Sequence, residues 1–175
     1  VRRVAAARIL RFVRAMTSRL NKLTEGIIGA AIEVHRTLGP GLLESAYGAC
    51  LAYELSSRGL EVERQKRVPV RYHDVVIDCA YCVDFVAGAE VVIEIKAVER
   101  LTPVHDARLI TYLRLLDKRV GLLINFNVKR LADGGIRRLV NQFPHEGEGT
   151  EKATAEGAET AENLVRRMPR SGAGG

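Results

Sequence analysis

Between Glu90 and Val98 the chain reads Glu-Val-Val-Ile-Glu-Ile-Lys-Ala-Val, a β-branched apolar run with a carboxylate and an ammonium set inside it. Val91, Val92, Ile93 and Ile95 fit a buried sheet strand. Burying Glu94 and Lys96 there is costly unless the two pair or hold a metal. Side chains on a strand repeat every two residues, so Glu94 and Lys96 share a face. Asp84 lies on the preceding apolar segment, with Gly88 between them as a turn. The expected unit is a two-stranded platform carrying two acids and one lysine, suited to holding a divalent metal beside a phosphate.

The order of elements around this platform is readable. Thr24 is expected to cap a helix from Glu25 to about Leu38, with Ile27, Ala31, Val34 and Leu38 inward. Gly39-Pro40-Gly41 breaks it. A second helix is expected from about Leu42 to Arg58, with Leu43, Tyr47, Cys50 and Leu51 inward and Gly59 as its left-handed cap. Strands follow over about 60–72, 75–86 and 90–98, joined by turns at His73-Asp74 and Gly88-Ala89. Thr102-Pro103 opens a helix to about Asp117, with Leu109, Tyr112, Leu113 and Leu116 inward. Arg119 to Phe126 reads as a core strand, parallel to an earlier one through a helical crossover. Ile136 to Val140 is short enough for one further element.

Charge separates the chain into three parts. Residues 1–24 hold seven basic and no acidic residues, residues 25–143 sixteen and fifteen, and residues 144–175 four and six, so the net +6 belongs to the N-terminal end. A basic pI of this origin does not by itself indicate nucleic acid. We therefore divide the chain into an amphipathic arm (1–23), a folded domain (24–143) and a disordered tail (144–175) rich in Glu, Ala, Gly and Thr. In the arm, Ile9, Val13, Met16, Leu20 and Leu23 form one helical stripe, a surface for packing on the domain or for self-association. A natural start at Met16 would make the preceding residues dispensable, and contact with phosphate or membrane is a further alternative. No run is long and apolar enough to span a membrane, and no secretory leader is read. Three cysteines form no disulfide framework, which suits a reducing cytoplasm. Cys79-Ala80-Tyr81-Cys82 lacks a second pair for zinc, and on a strand its thiols point to opposite faces.

Glu44 on the first domain helix, Asp84 on the second strand and Glu94-x-Lys96 on the third give the chain a resemblance to the PD-(D/E)XK nuclease superfamily. It is similar more narrowly to the bacterial GxxExxY family, whose motif stands here as Gly41-Leu42-Leu43-Glu44-Ser45-Ala46-Tyr47. The flanking Ile27-Ile28-Gly29-Ala30-Ala31-Ile32-Glu33-Val34-His35 and Leu38-Gly39-Pro40-Gly41 also match. The resemblance covers about residues 24–142. It implies an α/β, restriction-endonuclease-like αβββαβ core with a central mixed sheet flanked by helices. It also implies a nuclease acting on DNA, or on RNA.

The residues themselves suit that chemistry. Mg²⁺ or Mn²⁺ takes hard oxygen ligands. Asp84, Glu94 and the Ile95 carbonyl can supply them, with Glu44 acting directly or through water. Lys96 can orient the attacking water or offset charge on the phosphate. Related exonucleases carry Gln-x-x-x-Tyr on the following helix, and this chain has Arg108-x-x-x-Tyr112 at that place. Arg108 can clamp phosphate or pair with Glu94 or Glu44. Tyr112 is a substrate contact or a core aromatic. His105, in the first turn of the same helix, is a further candidate substrate contact. His35 is expected to serve the C-terminus of its own helix, and Tyr47 to position the helix that carries Glu44. Two other classes remain open: a binding module that keeps the fold without cleaving, and an oligomerising structural protein.

Overall fold

A computed structural model describes residues 2–141, with side chains from residue 17 onward except at positions 79 and 80. The chain divides into two units, Val1–Phe143 and Pro144–Gly175. The second, where a disordered tail is expected, lies outside the described residues. So do the side chains of Ile9, Val13 and Met16 in the arm and that of Cys79.

The first unit runs α1 (Arg2–Leu38), α2 (Glu44–Ser57), β1 (Val62–Tyr72), β2 (Val75–Ala87), β3 (Val91–Lys96), α3 (Pro103–Leu115), β4 (Val120–Asn125) and β5 (Ile136–Val140). The five strands lie in one sheet in chain order. β3 and β4 pair in parallel across α3, and the other neighbours are antiparallel. This is the mixed sheet flanked by helices that the order of elements predicts. β3 and β4 are buried throughout, which explains their nearly unbroken apolar sequence.

Each face of the sheet has its own core. α1 and α2 cover one through Ile27, Ala31, Val34, Tyr47, Leu51 and Leu55, packed on Phe85, Ile93, Ile95, Leu122 and Ile124. α3 covers the other through Leu109, Tyr112 and Leu113, packed on Val83, Val86, Val92 and Leu123. Gly121 of β4 lets α3 sit close: a Cβ there would lie 2.9 Å from Leu109 Cδ1. Gly121→Ala is therefore expected to destabilise the fold by about 1–3 kcal/mol through overpacking. A lowered midpoint in urea unfolding, without a change in slope, checks this.

Three local expectations are corrected. Thr24 does not begin a helix, because α1 runs unbroken through it and its hydroxyl donates to the Leu20 carbonyl at 2.6 Å. Residues 17–24 contain no Gly or Pro to stop the helix, and Leu20 and Leu23 continue the buried stripe onto the core. Leu38 is 37% exposed, at the last turn, where the chain leaves the sheet. Leu43 is 77% exposed, since it is the extended residue preceding α2 and not part of its inward face. The two turns form as expected, with His73 at φ +52°, Gly88 at +55° and Ala89 at +56°.

Candidate active site

The site lies at a fork in the sheet. β2 and β3 pair from Ala87↔Val91 only as far as Phe85↔Ile93, and then separate. The Ile95 N–H, past the last pair, would be left without a strand partner. The Asp84 carboxylate takes that place and accepts from Ile95 N at 2.9 Å through Oδ2. A buried amide is costly to leave unmade, so this bond both closes the fork and fixes Asp84.

The other oxygen of Asp84 accepts from Gln65 Nε2 at 3.2 Å, and Gln65 Oε1 accepts from the Cys82 thiol at 3.1 Å. Gln65 has φ +48°, a conformation that non-glycine residues rarely adopt. An observed outlier of this kind beside functional groups marks a constrained site. Sequence reasoning missed Gln65. A lone amide in an edge strand carries no periodicity signal, and its backbone conformation cannot be read from residue type.

Glu94 and Lys96 are both buried. Lys96 Nζ donates to Glu94 Oε1 at 2.8 Å, to the Ile95 carbonyl at 2.5 Å and to Glu44 Oε1 at 3.4 Å. One ammonium thus touches three of the oxygen donors proposed above for a cation. The remaining oxygen, Glu94 Oε2, is buried without a hydrogen-bond partner. Burial, followed by the charge of Asp84, pushes Glu94 up to about 7 against the opposing pull of Lys96 and Arg108. For Lys96, burial works downward, but the hydrogen bond and charge of Glu94, with Glu44 and Asp84, leave it above the ordinary lysine value. The pair therefore retains an ammonium at neutral pH beside a carboxyl near its midpoint.

Glu44 opens α2 and is half exposed, with its carboxylate directed to Lys96. Its position depends on the loop before it. The Tyr47 hydroxyl donates to the Gly39 carbonyl at 2.5 Å and accepts from Leu42 N at 3.2 Å. The Tyr47 ring stacks on Phe126 at 4.5 Å, and Phe126 N donates to the Lys96 carbonyl at 2.8 Å. Tyr47 thus fixes the Gly-Pro-Gly turn and ties α2 to the end of β3, and its hydroxyl bonds are made to that turn, not to Glu44. Tyr47→Phe is expected to cost about 1 kcal/mol of stability, the worth of a buried hydrogen bond. Thermal unfolding of both proteins checks it.

A cleft of about 480 Å³ opens beside these groups, lined by Glu44, Ser45, Arg64, Gln65, Asp84, Phe85 and Ile95. Arg64 lies over the Phe85 ring, 5.8 Å from its centre. From α3, Arg108 acts electrostatically on both Glu94 and Tyr112. Tyr112 is buried, edge-on to Tyr81 at 6.0 Å, and burial together with the Glu94 charge pushes its hydroxyl up to about 12. It is thus a core aromatic close to the site and stays protonated.

Two histidines take structural places. His105 Nδ1 accepts from the Thr102 N–H at 3.0 Å and closes the N-terminus of α3, as a capping-box acid would. Among the described residues, no hydrogen bond or ion pair joins it to Glu44, Asp84 or Glu94. His35 is buried, and its Nε2–H donates to the Val128 carbonyl at 2.8 Å. It fastens α1 to the segment after β4, and does not serve its own helix end. Cys50 and Cys82 are free thiols.

Among the described residues, no three His, Cys, Asp or Glu side chains form a metal-holding group. Glu44, Asp84 and Glu94 are drawn together around Lys96 and the Ile95 peptide, not around one another. A family model described as the PD-(D/E)XK nuclease superfamily matches residues 21–139. No curated protein and no solved structure matches the chain.

Proposed function

The chain belongs to the PD-(D/E)XK nuclease superfamily, and on that footing we propose that it hydrolyses phosphodiester bonds of nucleic acid, DNA foremost, with Mg²⁺ or Mn²⁺ as cofactor. The observation that carries this reading is the buried, unpartnered Glu94 Oε2, on a carboxyl that feels the charge of Asp84 and shares the Lys96 ammonium with the Ile95 carbonyl. Buried carboxylate oxygens are rarely left without a partner. Hard oxygens of this kind fit a small divalent cation, which commonly takes one or two carboxylates and keeps several waters. Asp84, Glu94 and the Ile95 carbonyl would hold the ion, with Glu44 in support. When bound, such an ion stabilises charge on phosphoryl oxygens and lowers the pKa of water.

The chain's own groups do the rest. Asp84, fixed by Ile95 N–H and Gln65, keeps one geometry without reorganisation. Lys96, held charged, offers a hydrogen bond that offsets the developing phosphate charge or orients the attacking water. Glu44, half exposed, reaches the cleft from the helix side. Arg108 and Tyr112 border the same acids from α3, Arg108 as a phosphate clamp. The GxxExxY assignment rests on the Gly41–Tyr47 motif, and Tyr47's hold on the Gly39 turn supplies a physical reason for its final residue. We assign residues 24–143 to the nuclease domain, on whose core Leu20 and Leu23 of the preceding stripe also pack, the earlier part of that stripe to self-association, and the chain to the cytoplasm. Among the described residues, no helix is long and apolar enough to cross a membrane.

One observation favours a second reading, a binding module that does not cleave. The charge of Arg108 already acts on Glu94, where an amide would be neutral. Mg²⁺ titration and cleavage of plasmid and single-stranded DNA by wild type and Asp84→Ala separate the two. The nuclease reading expects metal-dependent cleavage that falls at least a thousandfold in the variant. Metal binding that is identical in both proteins overturns it, and nucleic-acid binding without cleavage selects the binding module.

A further inference from the structure

β1 and β2 continue together well past the fork. Their pairing runs from Val62↔Ala87 to Tyr72↔Val75, whereas β3 accompanies β2 only to Phe85. The ribbon's root packs on α3 through Val68 and Val83. Register shifts between Val68 and Val70, around Pro69, a residue confined in sheets to edges and bulges. From residue 69 to residue 78 every position except half-buried Val70 is exposed. At roughly 3.3 Å per residue, this two-stranded tip projects about 15 Å beyond its root.

Its composition is unusual for a free ribbon. β1 carries Arg64, Lys66, Arg67 and Arg71 against the single acid Glu63. Lys66 pairs with Glu63, and Arg67 and Arg71 have no ion-pair partner among the described residues. The tip holds Tyr72, Val75, Val76 and Ile77, from 44% to 64% exposed, with Asp74 in the turn and Asp78 beyond it. Basic residues on an edge strand guard against aggregation. That purpose does not account for four large apolar side chains in water at the end of a marginally stable element.

We propose that this ribbon is the protein's grip on duplex DNA, inserted into the major groove. The inference rests on the nuclease reading above. A two-stranded β-ribbon fits the B-form major groove, about 12 Å wide and 8.5 Å deep, whereas the A-form groove of duplex RNA is too narrow to admit it. Arg67 and Arg71 would meet phosphates along the groove wall, and the apolar tip would lie against base edges and thymine methyls. The root of the ribbon is the wall of the cleft, because Arg64, Gln65 and Asp84 belong to the same two strands. A duplex held by the ribbon therefore carries its backbone to Asp84. A second copy of this chain is a poorer occupant: antiparallel pairing of the free β1 edges would set Arg67 and Arg71 among their own equivalents.

The test is fluorescence anisotropy of the full chain with one sequence as duplex DNA, single-stranded DNA and duplex RNA, in EDTA and at several salt concentrations. Duplex DNA is expected to bind at least tenfold more tightly than the others. Arg67→Ala with Arg71→Ala should weaken that binding at least tenfold and flatten the log–log salt slope by about 1.8, as loss of two phosphate contacts requires. Mg²⁺ affinity and thermal midpoint should not move. Unchanged duplex affinity or salt slope in the double variant overturns the proposal, as does preference for RNA or for single strands. So does a dimer that Val75→Thr with Val76→Thr converts to monomer in sedimentation. If wild type cleaves DNA and the double variant cleaves it equally well at limiting substrate, the ribbon proposal alone fails. If wild type neither binds nor cleaves any of the three with Mg²⁺, the nuclease reading fails and the ribbon's role with it.

Discussion

Replacing Lys96 by Met is expected to destabilise the metal-free protein by about 3–5 kcal/mol, the range for removing one member of a buried ion pair. The variant should also bind Mg²⁺ more tightly than wild type. Both effects have one origin. The Lys96 ammonium is the cation that Glu94, Glu44 and the Ile95 carbonyl share when no metal is bound. Its contribution is fully present below the ordinary lysine pKa of 10.5 and is lost only as pH rises through its higher folded-state value. Denaturant titration at neutral pH, with and without Mg²⁺, reads both quantities. The variant's deficit should shrink with metal present, because the ion then neutralises the acids. Cleavage should nevertheless be lost, since the ammonium that offsets phosphate charge and orients the water is gone. A variant as stable as wild type without metal would mean that Lys96 does not balance Glu94.

Glu94→Gln should change how stability depends on pH, and should act in the same direction on activity as the Lys96 variant. Folding holds the Glu94 carboxyl at about 7, above its ordinary 4.5. Between those values the folded protein binds more protons than the unfolded one, so stability falls as pH rises from about 4.5 through 7, and then levels. Gln cannot ionise and lacks that slope. In metal-free buffer, the variant's thermal midpoint should therefore gain on wild type steadily from pH 5 to pH 8. Wild type should recover on adding Mg²⁺, by the mass action of a ligand that binds only the folded state. The variant should not, and its cleavage should fall at least a thousandfold. A wild-type pH profile parallel to the variant's would show that Glu94 is ionised throughout.

Much of this arrangement was legible in the residues. The apolar run around Glu94 and Lys96 forced a buried strand, and its period of two set both side chains on one face. Their 2.8 Å contact follows from that. The helix-breaking Gly39-Pro40-Gly41, the Gly88 turn and the Thr102-Pro103 start each act through backbone chemistry local to them, and each stands where expected. What escaped depends on context that residue type does not carry. Gln65 matters because β1 delivers it to Asp84, nineteen positions further along. His105 also caps its own helix, its Nδ1 accepting from the Thr102 N–H, a place more often held by an acid and so not legible in a histidine. Thr24 is a weak breaker, and a helix whose buried stripe continues across it overrides its capping preference.

The bond between Ile95 N–H and Asp84 gives the protein an internal gauge. That amide has one acceptor, and the acceptor is the carboxylate whose state matters most. A cation that draws charge from Asp84 weakens the acceptor and shifts the Ile95 nitrogen and proton resonances. A single backbone signal, needing no label on substrate and no turnover, thus follows occupancy of the site in solution.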